Sequence, residues 1–307
     1  VLCPRRLAPS AAITAIALLA LSGCGAASAP RASSSSSSPS ASPAITRGTG
    51  PVDVLYAGSL TALMEQQIGP AFSRATGYRF QGTGGGSTAL ATQIRARTTK
   101  ADVFISASPA VNQTLEGSAN GARVTWYATF ASSALVIGYN PKSRFAAELR
   151  SKPWYDVIGS PGFRFGSTDP ALDPKGKLGV QALEDAASKH NLPALTALAH
   201  GGADVQPEAG LVGRLQSGQL DAGFFYASEA KAAGIPTVPL TGEHLVASYT
   251  ITRLSGAPDP NGADAFITYL LGGAGGRTLR ANGFDIVSPP SVHGTGVPHE
   301  LQTVVGR

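Results

Sequence analysis

Three times in this chain a short apolar run stops at a loop of small residues, and the loop hands a Ser or Thr to the start of a helical pattern. The junctions are Tyr56-Ala57-Gly58-Ser59-Leu60, Gly84-Gly85-Gly86-Ser87-Thr88, and the loop from Ser167 to Gly176. Around them, strand-like and helix-like periods alternate. Residues 52–56, 78–81, 102–106, 134–139, 163–166, 221–226 and 246–252 read as strands. Helical spacing appears over 60–72, with Pro70 as a kink or restart, around Leu90 and Ile94, and over 183–188, 209–216 and 264–271. This alternation predicts an α/β class with mostly parallel sheets. At 307 residues the chain has room for two compact units.

In an open parallel sheet such junctions lie at the carboxyl ends of the strands, where ligands bind. A helix start offers unpaired N–H groups and a partial positive charge, and a hydroxyl at the cap adds a neutral donor. Several converging starts make an anion site that needs no Lys or Arg. The alternative for each junction is ordinary helix capping. The glycine run of residues 82–86 lacks the Gly-Lys-Ser/Thr ending of a phosphate loop and the spacing of a dinucleotide fingerprint, so nucleotide binding is not expected.

The N-terminal segment has a different character. Arg5 and Arg6 precede an apolar stretch, residues 11–21, too short for a comfortable membrane span, and Leu21-Ser22-Gly23-Cys24 follows. Residues 1–24 are therefore expected to be an export signal. Residues 25–50 are rich in Ser, Ala, Pro, Gly and Thr, a composition that cannot offset ordering entropy, and are expected to form a flexible linker. Residues 1–52 hold four Arg and no acid, which leaves a formal charge of only +1 for residues 53–307. With aromatics at 7%, that argues against nucleic acid as a partner. No later stretch is long and apolar enough for a membrane span. With Cys3 in the export signal, a chain cut before Cys24 keeps only that one thiol and no disulfide.

Enzyme constellations are sparse. There is no Gly-x-Ser-x-Gly elbow. Ser228-Glu229-Ala230-Lys231 matches Ser-x-x-Lys without its companion motifs and reads as a solvated helix. The five His residues are scattered, with no pair at metal-ligand spacing. Asp169 and Asp173 lie four apart, but Pro170 and Pro174 make this a turn-rich loop.

Several motifs together resemble the molybdate/tungstate-binding receptors of ABC importers, over residues 52–301. They are Ala57-Gly58-Ser59-Leu60; Gly86-Ser87-Thr88 with Gln93-Ile94; Ala101-Asp102-Val103-Phe104-Ile105-Ser106-Ala107; Thr168 to Gly176; Leu215-Gln216-Ser217-Gly218; and Phe225-Tyr226-Ala227-Ser228-Glu229-Ala230. The Asp-Pro pair and Trp154-Tyr155 look more like the tungstate-type branch. The resemblance implies a two-lobe α/β fold, the type II periplasmic binding fold, with the ligand cleft between lobes. Lobe 1 would be residues 51–132 plus 243–307 and lobe 2 residues 133–242, joined by crossovers near 131–134 and 237–247. Leu21-Ser22-Gly23-Cys24 resembles a lipobox, which implies lipidation of Cys24 and an extracytoplasmic domain anchored to the cell membrane.

Site roles also follow from the resemblance. Ser59 and Ser87 would donate hydroxyl and backbone hydrogen bonds to the oxyanion. Backbone N–H groups near Asp173 to Lys175 and near Glu208, and the Tyr226 hydroxyl, would complete the set. The tungstate-type branch adds two carboxylates to the metal shell. Asp173, or else Asp169, would be one; the other position holds Phe225 here. The oxyanion then stays tetrahedral, which is the arrangement expected, or Glu208 supplies the second oxygen. The implied function is a non-enzymatic, cofactor-free, monomeric receptor that delivers molybdate or tungstate to an ABC permease with its cytoplasmic ATPase. Rival readings are a receptor for sulfate or another small anion, a sensor or adhesin on the same scaffold, and a secreted hydrolase using Ser59 or Ser87.

Overall fold

Ten strands carry the fold: β1 (Pro51–Ala57), β2 (Arg79–Gly85), β3 (Val103–Ser106), β4 (Trp126–Tyr139), β5 (Phe165–Ser167), β6 (Asp204–Val205), β7 (Ala222–Tyr226), β8 (Thr237–Pro239), β9 (Val246–Arg253) and β10 (Asp285–Gly294). They come from a computed structural model that describes residues 45–306. The export signal, Cys24 and residues 25–44 of the linker lie outside the described residues. Residues 45–50, which the composition assigns to the linker, pack on the fold. Ile45 lies against the core, the Gly48 N–H donates to the Thr76 carbonyl (3.1 Å), and the Gly50 carbonyl accepts from the Arg79 N–H (2.7 Å).

The strand order is β2-β1-β3-β9-β4-β7-β5-β6, with β10 and β8 also paired to β4. Strand β4 is shared between two sheets. Its residues 126–134 pair with β9 and β10, and its residues 135–139 pair with β7 and β8. The expectation of mostly parallel sheets fails. Pairs β1–β2, β1–β3, β5–β6 and β5–β7 are parallel, whereas every pairing made by β4 and β9 is antiparallel. A strand covered on both faces reads as a continuous apolar run in either direction. Strand direction is set by the connections, and the segments that pass between the lobes run against their neighbours.

Period-two alternation explains the layering. In β1, Val54 and Tyr56 enter the main core with Leu60, Ile68 and Phe72, while Leu55 faces a second cluster with Leu90, Ile94 and Phe104. In β7, Phe224 and Tyr226 join the main core, while Phe225 faces Val136, Leu211 and Leu215. Helices thus cover both sheets on both faces.

The segment after β1 is a composite: a 3-10 turn (Gly58–Leu60), a short α turn, a π turn (Met64–Ile68) and an α-helix restarting at Gly69–Thr76 with Pro70 in its first turn. Strand β10 goes unread in the sequence because Pro289 and Pro290 argue against a ladder; its pairing with β4 shifts register between Ile286 and Ser291, across those prolines.

Phe224 is fully buried, edge-on to Phe165 (4.9 Å) and Trp154 (6.3 Å). Phe224→Ala is expected to destabilise the fold by about 3–5 kcal/mol. Denaturant melts should show the midpoint fall at constant m-value, and a loss below about 1 kcal/mol would mean this layer repacks freely.

Candidate functional site

The loop after β5 ends in Asp173, the N-cap of the helix Pro174–His190, whose carboxylate accepts from the Lys175 N–H (2.7 Å). Pro174 suits the first helical position because its missing N–H would have had no partner there. This cap turns the Lys175 side chain inward, where it is 0% exposed. Its ammonium lies 2.8 Å from Glu208 Oε1 and 3.0 and 2.9 Å from the two Glu229 oxygens. It also sits over the Phe225 ring (5.2 Å) and near the Tyr226 ring (5.9 Å). Glu208 opens the helix Glu208–Gln216, and Glu229 lies in the first turn of Ala227–Ala232, accepting from the Tyr226 N–H (3.2 Å).

The opposing wall comes from the other sheet. Ser59 is buried, its hydroxyl 2.9 Å from the Tyr249 hydroxyl on β9. Tyr249 in turn meets the Tyr226 ring edge-on at 6.1 Å. A methyl group on Gly58 would overlap Glu208 Oε2, so the backbone of the Ser59 turn lies directly against that carboxylate. Ser87 starts the helix Ser87–Ala96, and its hydroxyl accepts from the Ala107 N–H (3.2 Å). The next two N–H groups, of Thr88 and Ala89, donate to the Leu172 carbonyl at 3.1 and 3.2 Å, so the cleft is closed. Two hollows adjoin at Glu208. One of about 210 Å³ is lined by Ser59, Glu208 and Glu229; the other, about 320 Å³, by Gly86, Thr168, Asp169, Asp173 and Glu208.

Three buried polar atoms of the cleft have no protein partner: Glu208 Oε2, the Tyr226 hydroxyl and the Thr168 hydroxyl. Unsatisfied groups of this kind are few in native interiors, and a bound ligand or water is one way to satisfy them. Burial drives the Glu208 carboxyl well above the usual range, with Lys175 opposing, and burial likewise raises Asp173. Burial alone would lower Lys175, but Glu208, Glu229 and Asp173 raise it above its ordinary value, so it is a fixed ammonium. Burial raises Tyr226 and Tyr249, which keeps both as neutral phenols able to donate.

A family model described as bacterial extracellular solute-binding protein matches residues 52–285. The chain belongs to that family. Its members bind solutes for transport and are not enzymes. A Haloferax volcanii protein named as an ABC transporter molybdenum-binding protein is 30% identical over 75% of this chain and 68% of its own length. The molybdate/tungstate-binding protein of Pyrococcus abyssi is 27% identical over 59% of this chain and 67% of its own. Among solved structures, the Azotobacter vinelandii periplasmic molybdate-binding protein superposes with TM-score 0.60 at 19% identity, covering 77% of this chain and 99% of that one. The Mycobacterium tuberculosis sulfate-binding protein gives 0.61 at 17% identity, covering 79% and 88%. These structural likenesses establish the two-lobe periplasmic binding fold.

In this solute-binding protein, Ser59, Asp173, Lys175, Glu208 and Tyr226 form one contiguous buried cluster, and Ser87 adjoins it behind Gly86. Asp169 is half-buried at the rim and accepts from the Ala171 N–H (2.8 Å). Two expectations need correction. The Lys175 N–H is committed to Asp173, so the part of Lys175 that faces the cluster is its ammonium, and the site does hold a fixed cation. Ser228 and Glu229 are buried rather than on a solvated helix, because Glu229 pairs with Lys175. Glu229, Thr168 and Tyr249 also belong to the cluster; the first two lie within motifs that carry the resemblance, but the pairing of Glu229 with Lys175 spans 54 residues and no local pattern marks it. The described hydrogen bonds of Ser59 and Ser87 go to Tyr249 and Ala107. Among the described residues no helix is long and apolar enough to cross a membrane, and no cluster of three His, Cys, Asp or Glu could hold a metal ion.

The raised carboxyls set a pH dependence. Glu208 and Asp173 keep protons in the folded chain at pH values where the unfolded chain has lost them. Their contribution to ligand-free stability is therefore fully present below about pH 4 and is lost as pH rises through the folded values. Asp221 works in the opposite sense: despite burial, the Arg164 guanidinium and N–H hold it below the usual range, so its contribution is lost as pH falls. Chemical denaturation at about pH 5 and about pH 8 should show Glu208→Gln gaining more stability, relative to the parent, at the higher value. An equal effect at both would contradict the assignment.

Proposed function

We propose that this protein captures a tetrahedral oxyanion, molybdate or tungstate, between its lobes and delivers it to an ABC permease with its cytoplasmic ATPase. The observation that carries this reading is the pair of buried hydroxyls without partners, Tyr226 and Thr168, together with a fixed ammonium in the cleft of an extracellular solute-binding protein. Relatives named for molybdenum, molybdate and tungstate support the choice of ion. A dianion satisfies many donors at once, and each charge-assisted bond contributes about 1.5–3 kcal/mol. Dehydration in a closed cleft makes ionic radius the basis of selection.

In this reading residues 51–132 plus 243–307 form one lobe and 133–242 the other, and β4 with the approach to β9 acts as the hinge. Ser59, Ser87 and Tyr226 donate to the anion. With Phe225 at the second carboxylate position, the ion stays tetrahedral. The chain works as a monomer, tethered outside the membrane through lipid on Cys24 and the Ser/Pro-rich linker.

Isothermal titration with molybdate, tungstate and sulfate tests the assignment. Binding of molybdate or tungstate in preference to sulfate is expected, and binding of sulfate alone would overturn it. Ser59→Ala should weaken binding by about 1.5–3 kcal/mol, whereas wild-type affinity would remove Ser59 from the site. Ser87→Ala should weaken binding similarly, with some stability lost because the Ala107 N–H loses its acceptor. Cys24→Ser should release the protein from membranes; unchanged membrane association would refute the lipid anchor.

A further inference from the structure

The carboxyl group of Glu208 lies in the cleft between the Lys175 ammonium and the Ser59 turn. Glu208 Oε1 lies 2.8 Å from the Lys175 ammonium. Its Oε2 is buried, has no partner and is pressed against Gly58 at the start of the Ser59 turn. The carboxylate forms the wall between the two hollows of the cleft. It therefore spans from the one fixed cation of the cluster to the Ser59 junction. Lys175 does not depend on Glu208 for a counter-ion: Glu229 reaches the same ammonium with both oxygens, at 3.0 and 2.9 Å. Asp173 is committed as the cap of its helix. Of the three acids around the ammonium, Glu208 is the one with a fully buried oxygen that has no partner, and that oxygen lies against Gly58 of the opposing wall.

We propose that Glu208 is an internal competitor for the oxyanion: its carboxylate occupies the anion position beside the Ser59 turn, and an entering oxyanion must displace it. This rests on the reading of the cleft as an oxyanion site. It assigns Glu208 a role opposite to that of a ligand. A ligating carboxylate strengthens binding, whereas a competing one weakens it and sets a threshold below which the cleft stays closed on itself. Charge makes the competition selective and pH-dependent: once Glu208 has lost its proton, its carboxylate opposes a dianion about twice as strongly as a monoanion of equal size.

The test is titration of the parent protein, Glu208→Gln and Glu208→Asp with molybdate and with perrhenate, a tetrahedral monoanion. Glu208→Gln removes the charge, and Glu208→Asp withdraws the carboxylate from Gly58 while keeping a charge for Lys175. Both variants should bind molybdate more tightly once the pH is high enough for the parent's Glu208 to have lost its proton, Glu208→Gln by roughly tenfold or more there. The gain for perrhenate should be smaller. Equal or weaker molybdate binding by both variants overturns the proposal, as does an equal gain for both anions, which would mark a merely steric or structural effect. If Glu208→Gln does not fold, Glu208→Asp decides alone by the same criteria. A parent protein that binds none of molybdate, tungstate and sulfate would instead refute the proposed function, so the two failures are distinguishable.

Discussion

The buried Lys175 ammonium is the interaction on which the site is organised. An ion of this kind, taken out of water, is tolerated only where opposite charges and hydrogen bonds surround it. Here Glu208 and Glu229 supply them, each from the first turn of a different helix, and the lysine itself sits in the first turn of a third. One cation thereby ties three helix starts to the end of β7. Removing it would leave buried carboxylates facing one another, which makes the pair far more costly to break than it is stabilising to keep.

The two lobes contribute different chemistry to the cleft. One presents neutral donors: the Ser59 turn, the Ser87 helix start and the Tyr249 phenol. The other presents the charged cluster, with Tyr226 at its edge. Contact across the cleft is made by Thr88 and Ala89 on the Leu172 carbonyl and by the Gly58 backbone on Glu208. At the first, a protein oxygen accepts from two helix-start N–H groups, which is the geometry an oxyanion would use. Gly86 permits the first contact, since a methyl group there would overlap the Leu172 carbonyl.

Much of this was legible in the sequence because it is local. The apolar runs, the small-residue loops and the Ser or Asp at a helix start locate the sheets and the cleft, and Ser59, Ser87 and Asp173 stand at those starts. Strand direction was not legible, because burial on both faces erases the difference between parallel and antiparallel ladders. The first half of β4 was missed for a related reason: Thr129, Ser132 and Ser133 break its apolar run. The role of the Lys175 side chain was illegible too. Lys177 and Lys189 on the same helix are exposed, and nothing in the neighbouring residues marks Lys175 as different. Its burial is decided by Glu208 and Glu229, which arrive from distant parts of the chain, and a reading of motifs sees only the backbone N–H that the loop supplies.

The central claim is that an oxyanion binds in this cleft, between the Ser59 turn and the Lys175 cluster. Anomalous diffraction at the molybdenum edge from crystals grown with molybdate tests it most directly. The account predicts one strong peak inside the cleft, within bonding reach of Ser59 and Tyr226 through its oxygens, with four oxygens around the metal. A peak elsewhere on the molecule, with the cleft still closed on Glu208, would contradict it.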